Sequence, residues 1–147
     1  MNKKNVQKLF NDFPNLYQDR TNLKSRLTHG PECADGWFNL IYELSEKLSK
    51  LDPECVVVQV KEKFGGLRFY VNGISEDGYK LINEYETKSY HTCESCGDTK
   101  RAKQRSGNWI KTLCFKCHIK RKMKFFIRDF IWDIKYKIIM LKKFIKI

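Results

Sequence analysis

Six cysteines stand in this chain of 147 residues, and four of them are spaced for chemistry. They occur as Cys93-Glu94-Ser95-Cys96-Gly97 and Trp109-Ile110-Lys111-Thr112-Leu113-Cys114-Phe115-Lys116-Cys117, two Cys-x-x-Cys pairs with 17 residues between them. Each pair offers two thiolates at chelating distance, and together they match the ligand set of a structural four-cysteine Zn2+ site. Two disulfides, four buried thiols or an iron-sulfur cluster are the alternatives. The start, Met1-Asn2-Lys3-Lys4-Asn5, leads into a polar amphipathic segment without an apolar signal core, so a reducing cytoplasm is expected, and zinc is the reading taken. Cys33 and Cys55 stand alone and read as small buried hydrophobes.

A metal with four cysteine ligands has no position left for water, so a structural rather than hydrolytic ion is expected. Nucleases built on a treble clef also need histidines on the hairpin, and residues 97–113 contain none. His91 and His118 flank the site as spare groups, and His29 reads as a solvated loop residue. No catalytic residue is assigned, no enzyme activity is expected beyond a metal-stabilised nuclease kept as a further alternative, and no small-molecule substrate is called for.

Charge supplies the second chemical signal. The formal net charge is +12, and residues 115–147 hold 11 Lys or Arg against only Asp129 and Asp133, which places +9 of it in the last part of the chain. Such a segment seeks phosphate backbones, an anionic membrane or an acidic protein face. Its best candidate contacts are Lys120, Arg121, Lys122, Lys124 and Arg128. A smaller basic group, Lys61, Lys63 and Arg68 around Tyr70, could follow a phosphate backbone while the ring stacks on a base. A solvated sheet face is the plainer reading of those residues.

These groups need elements to hold them. The hydrophobic fraction of 41% leaves material for a core, and the pattern predicts an α+β fold. A short helix over 3–12 puts Val6, Leu9, Phe10 and then Phe13 on one side before Pro14. A second helix runs from an Asp35 N-cap to Leu51, with Trp37, Leu40, Ile41, Leu44, Leu48 and Leu51 as its core stripe. A hairpin follows, Cys55 to Phe64 and Leu67 to Val71 around Gly65-Gly66, which pairs Phe64 with Leu67 and Val60 with Val71. Val56, Val58, Val60, Phe64, Leu67, Phe69 and Val71 then face the core, with Glu62 an anomaly among them. Ser75 caps a helix carrying Tyr79, Ile82 and Tyr85.

Within the metal region, Gly97 after Cys96 has the form of a zinc knuckle, and the insert predicts a hairpin turning near Ser106-Gly107-Asn108, with Trp109 packed on the site. The second Cys pair opens a helix, so the order matches a treble clef. From Phe115 onward Ile119, Met123, Phe126, Phe130, Ile134, Ile138, Leu141 and Ile145 form one helical stripe, widened by Phe125, Ile127, Ile131, Trp132, Tyr136, Ile139 and Phe144. The longest uncharged run there lies between Lys137 and Lys142, too short for a membrane span. Three parts are expected: an α+β domain over 1–90, a zinc module over 91–118, and a basic amphipathic tail over 119–147. The tail's partners are its own domain, an anionic membrane surface, or a nucleic acid or nucleoprotein. Asp129 and Asp133 interrupt the basic face and favour the last, with RNA slightly ahead of DNA.

Lys61-Glu62-Lys63-Phe64-Gly65-Gly66-Leu67-Arg68-Phe69-Tyr70, then Cys93-Glu94-x-Cys96-Gly97 and Trp109-x-x-Thr112-Leu113-Cys114-x-x-Cys117, resembles a group of small zinc-finger proteins encoded by bacteriophages and prophages. The likeness covers roughly residues 35 to 118 and carries no catalytic role with it. It implies a bacterial host cytoplasm and a protein that acts by occupying a host nucleoprotein or nuclease, for example as an inhibitor of CRISPR or other nucleic-acid-directed defence. The long basic helix after Cys117 departs from the group.

Overall fold

The computed structural model describes residues 1–21, 26–105 and 109–145, with side chains at 20, 21 and 141–145 outside the description. The expected turn at 106–108 and the stripe positions Leu141, Phe144 and Ile145 therefore lie outside what is described. The chain is mixed helix and small antiparallel sheet, and it divides into two compact units, Met1–Cys114 and Phe115–Ile147.

The first unit opens with α1, Lys3–Asp12. Asn2 caps it, its side chain accepting from the Asn5 amide at 2.9 Å, and Leu9 is fully buried. The next helix starts later than its sequence suggests. Asp35 does not cap it: the residue lies inside a 3-10 turn, and its carboxylate accepts from the Asn2 amide at 2.7 Å. The chain instead makes a short 3-10 turn over Asp35–Trp37, and α2 runs Phe38–Leu51. Trp37, Ile41, Leu44 and Leu48 are fully buried, whereas Leu51, at 46% exposure, lies beyond the core edge.

The main hairpin is β1, Val56–Lys63, and β2, Gly66–Asn72. Its register differs from the expected one. Lys63 pairs with Gly66, Glu62 with Leu67 and Val60 with Phe69, so Phe64-Gly65 is the turn rather than Gly65-Gly66. Both turn residues take positive φ, 52° and 80°, as the favoured hairpin turn demands. Phe64 is consequently 66% exposed and not a core residue. A bulge between Val57 and Gln59 shifts the alternation, which buries Val57 with Val60, Leu67 and Phe69 and leaves Val56 and Val58 half-buried. The outer edge of β1 is met by Glu32, whose amide donates to the Val60 carbonyl at 2.8 Å.

Helix α3, Glu76–Ser89, is capped by Ser75, which accepts from the Gly78 amide at 3.1 Å. It buries Ile82 and Tyr85 against α2 and β2, but Tyr79 is 54% exposed and outside the stripe. Two three-residue strands, β3 (Lys103–Arg105) and β4 (Lys111–Leu113), form the second sheet. Cys33 and Cys55 are buried, and burial pushes their thiols up to about 12 and about 11, which keeps them protonated.

The second unit is one helix, α4, Phe115–Ile145. At 3.6 residues per turn, Ile119, Met123, Phe126, Ile127, Phe130, Ile131, Ile134 and Ile138 share one broad arc, and Lys124, Arg128 and Lys135 line its flank. Asp133 pairs with Lys137 at 2.8 Å, and Arg128 lies 4.8 Å from the Phe125 ring centre. Among the described residues, no helix is long and apolar enough to cross a membrane.

Candidate metal centre

Cys93 and Cys96 sit on the turn that follows α3, Cys114 stands between β4 and α4, and Cys117 lies in the first turn of α4, where unpaired amides place partial positive charge. The sulfurs of all four lie within 4.8 Å of one another and could hold a metal ion. Cys96 Sγ and Cys114 Sγ are 3.7 Å apart. That is far beyond the disulfide bond length of about 2.05 Å. It fits instead the edge of a tetrahedron with metal-sulfur bonds of about 2.3 Å, which is roughly 3.8 Å.

The turn around the first pair is built by backbone bonds. The Gly97 amide donates to the Cys93 carbonyl at 2.8 Å, and the Cys93 amide donates to the Asp98 carbonyl at 2.9 Å. Gly97 takes φ +79°, a conformation glycine adopts without strain. The turn then rests directly on the 3-10 turn that precedes α2. The Gly36 amide donates to the Glu94 carbonyl at 2.8 Å, and a Cβ at Gly36 would stand 2.2 Å from the Cys93 carbonyl oxygen. Trp37 completes the seat, its indole N–H donating to the Thr92 carbonyl at 2.8 Å.

A buried charge cluster joins this turn to both hairpins. Lys111 Nζ on β4 lies 2.8 Å from a carboxylate oxygen of Glu94 and 2.8 Å from one of Glu62. Glu94 also accepts from the Ala34 amide at 3.1 Å. Glu62 accepts from the Gly65 amide at 2.7 Å and from the Trp109 indole N–H at 3.2 Å. Burial alone would push the Glu62 carboxyl up, but the bonds from Lys111, Gly65 and Trp109 outweigh it and hold the group below its ordinary value. Lys111 shows the mirror balance, with burial lowering it and the two carboxylates raising it further. Thr112 Oγ1 adds a bond to the Gly65 carbonyl at 2.6 Å, and Gln104 Nε2 one to the Phe64 carbonyl at 3.0 Å.

No protein family, curated protein or solved structure matches this chain. Its function is therefore read from its own residues.

The predicted contact residues fall in different settings. Arg68 is half-buried and bonded to Glu86 at 3.3 Å and to the Tyr90 hydroxyl at 2.9 Å, tying β2 to α3. Lys61 lies 5.3 Å from the ring centre of the 42% exposed Tyr70, and Lys63 is exposed beside Phe64. Lys120, Lys122, Lys124 and Arg128 are exposed on α4, with Arg121 half-buried 5.6 Å from the Phe125 ring centre. Trp109, the expected packing partner of the site, is 65% exposed and donates its indole N–H to Glu62 beside the β1–β2 turn.

Sequence reasoning missed Gly36, Glu94 and Lys111. Glu62 had left a usable signal, since an acid on a core-facing strand position demands a buried cation.

Proposed function

We propose that this chain is a non-enzymatic, zinc-stapled protein that binds nucleic acid, bare or within a nucleoprotein. The ion is Zn2+, because four thiolates at tetrahedral spacing suit a soft divalent cation without redox demands. Knuckle, hairpin and helix follow one another in treble-clef order. The observation that carries the binding reading is the exposed helix α4, on which Lys120, Lys122, Lys124 and Arg128 all face solvent. With Arg121 they offer five phosphate contacts, and Lys61 and Lys63 extend the set. RNA is placed slightly ahead of DNA. Blocking of a host defence enzyme follows from the phage resemblance alone.

The test is binding to a labelled RNA across a salt series. Neutralising about five phosphates predicts a loss of about 100-fold between 50 and 200 mM salt. Changing Lys120, Arg121, Lys122, Lys124 and Arg128 to Gln should flatten that slope, and a flat response in the unchanged protein would overturn the reading. Metal analysis should find one zinc per chain.

One observation favours a second reading. The apolar arc of α4 lies directly beside Lys124, Arg128 and Lys135, the arrangement of a helix lying on an anionic bilayer. Flotation with phosphatidylserine vesicles, abolished by removing residues 119–147, would place the tail there instead.

A further inference from the structure

Phe64 occupies a position that does not suit it. A φ of 52° is strained for a residue with a bulky side chain, and Asn or Gly is the ordinary choice at the first place of such a turn. The core gains little from the ring, which is 66% exposed. Trp109 stands at the same end of the hairpin, 65% exposed, with Ile110 at 39%. Strain retained at an exposed, tightly determined site points to a use outside the fold.

That site is tightly determined. Glu62 grips both sides of it at once, one carboxylate oxygen taking the Gly65 amide and the other the Trp109 indole N–H. The two successive turn carbonyls, of Phe64 and Gly65, are pinned from β3 and β4 by Gln104 and Thr112. Ile110 stands close to the turn, its Cγ2 3.2 Å from where a Gly65 Cβ would lie. Two aromatic side chains are thus displayed on a rigid support, and Lys63 Nζ stands 5.5 Å from the Phe64 ring centre.

We propose that Phe64 and Trp109, flanked by Lys63, form a stacking platform for the unpaired bases of a single-stranded nucleic acid. Flat rings accept bases of any identity, and the neighbouring ammonium meets a phosphate of the same strand. Positive charge set beside exposed aromatic rings is the combination by which single-strand binders hold a backbone while its bases stack, and Lys63 supplies that charge here. Duplex bases are already stacked and cannot use the platform, so the inference narrows the nucleic-acid reading above, on which it rests, to single strands.

Phe64→Gly is the informative variant because glycine suits the positive φ, so the melting temperature should hold or rise while the ring is lost. Fluorescence anisotropy with a labelled oligouridine, an oligothymidine and a duplex of equal length supplies the readout. The expected result is an affinity loss of about 5- to 150-fold for the single strands, the worth of one stacked base, with the duplex unchanged and Phe64→Tyr restoring binding. Unchanged single-strand affinity in Phe64→Gly, with the salt slope intact, overturns the platform and leaves the α4 reading standing. Equal weakening of single strand and duplex also overturns it. If the unchanged protein binds no oligonucleotide even at low salt, both readings fall.

Discussion

The two hairpins of this molecule are held by different forces. Strands β1 and β2, eight and seven residues long, bury Val57, Val60, Leu67 and Phe69 on a core shared with α2 and α3. Strands β3 and β4 have three residues each, of which only Thr112 and Leu113 are buried. At roughly 25 cal/mol per Å2, so little apolar area cannot offset the entropy of ordering the backbone. The first hairpin rests on hydrophobic burial, and the second depends on the cysteine site and on the Glu62, Lys111 and Glu94 cluster. The difference teaches where the sequence must carry chemistry rather than bulk: the smaller the element, the more its position depends on ligands and ion pairs.

Removing the metal proposed for the four cysteines should break this contrast most sharply. Structural zinc sites return about 10–16 kcal/mol of apparent binding energy, more than most domains hold in total stability. Chelation or Cys114→Ser is therefore expected to abolish amide-exchange protection over 103–113 while β1 and β2 keep theirs. Equal loss in both hairpins would show that the two are one cooperative unit.

Cutting the charge cluster comes next. Lys111→Met strands two buried carboxylates, and with Lys111 itself 24% exposed the expected destabilisation is about 2–3 kcal/mol, read by denaturant unfolding. Glu62→Gln should cost less, since the amide oxygen keeps a partner for the Gly65 amide.

The smallest effect is the dependence on acid. Glu62 has its carboxyl lowered in the fold, so its stabilising share is complete above its ordinary value of 4.5 and is lost as the pH falls through the lowered one. The melting-temperature gap between the unchanged protein and Glu62→Gln should stay constant in neutral buffer and close only below that value. A gap that closes near neutrality would assign the coupling to another group.

Much of this was legible in the chain. Helix α1, the Ser75 cap and the proximity of the four cysteines followed from spacing and local chemistry, because each is decided by residues close in sequence. The turn register was not. Gly65-Gly66 and Phe64-Gly65 both allow the turn, and the decision lies with groups far along the chain. Tyr90 fills the space beside Gly66, where a Cβ would stand 2.5 Å from its ring, and Gln104 and Thr112 hold the turn backbone. Asp35 has the side chain of a cap, but the chain makes a 3-10 turn through it before α2 begins, and its carboxylate is used by Asn2 across the fold. The bulge at Val58 leaves no local trace, since Val56, Val57 and Val58 are identical side chains.

Gly36 has a bearing on the order of assembly. Its contact with the metal turn joins backbone to backbone, and the neighbouring bond from Ala34 to Glu94 spans 60 residues. On the ribosome, the N-terminal half emerges well before the segment that must settle on it. Until the cysteines arrive, the bare 3-10 turn before α2 exposes the indole edge of Trp37 and an unmatched Gly36 amide. Nascent chains halted before residue 93 should therefore bind chaperones that release once the knuckle has been made.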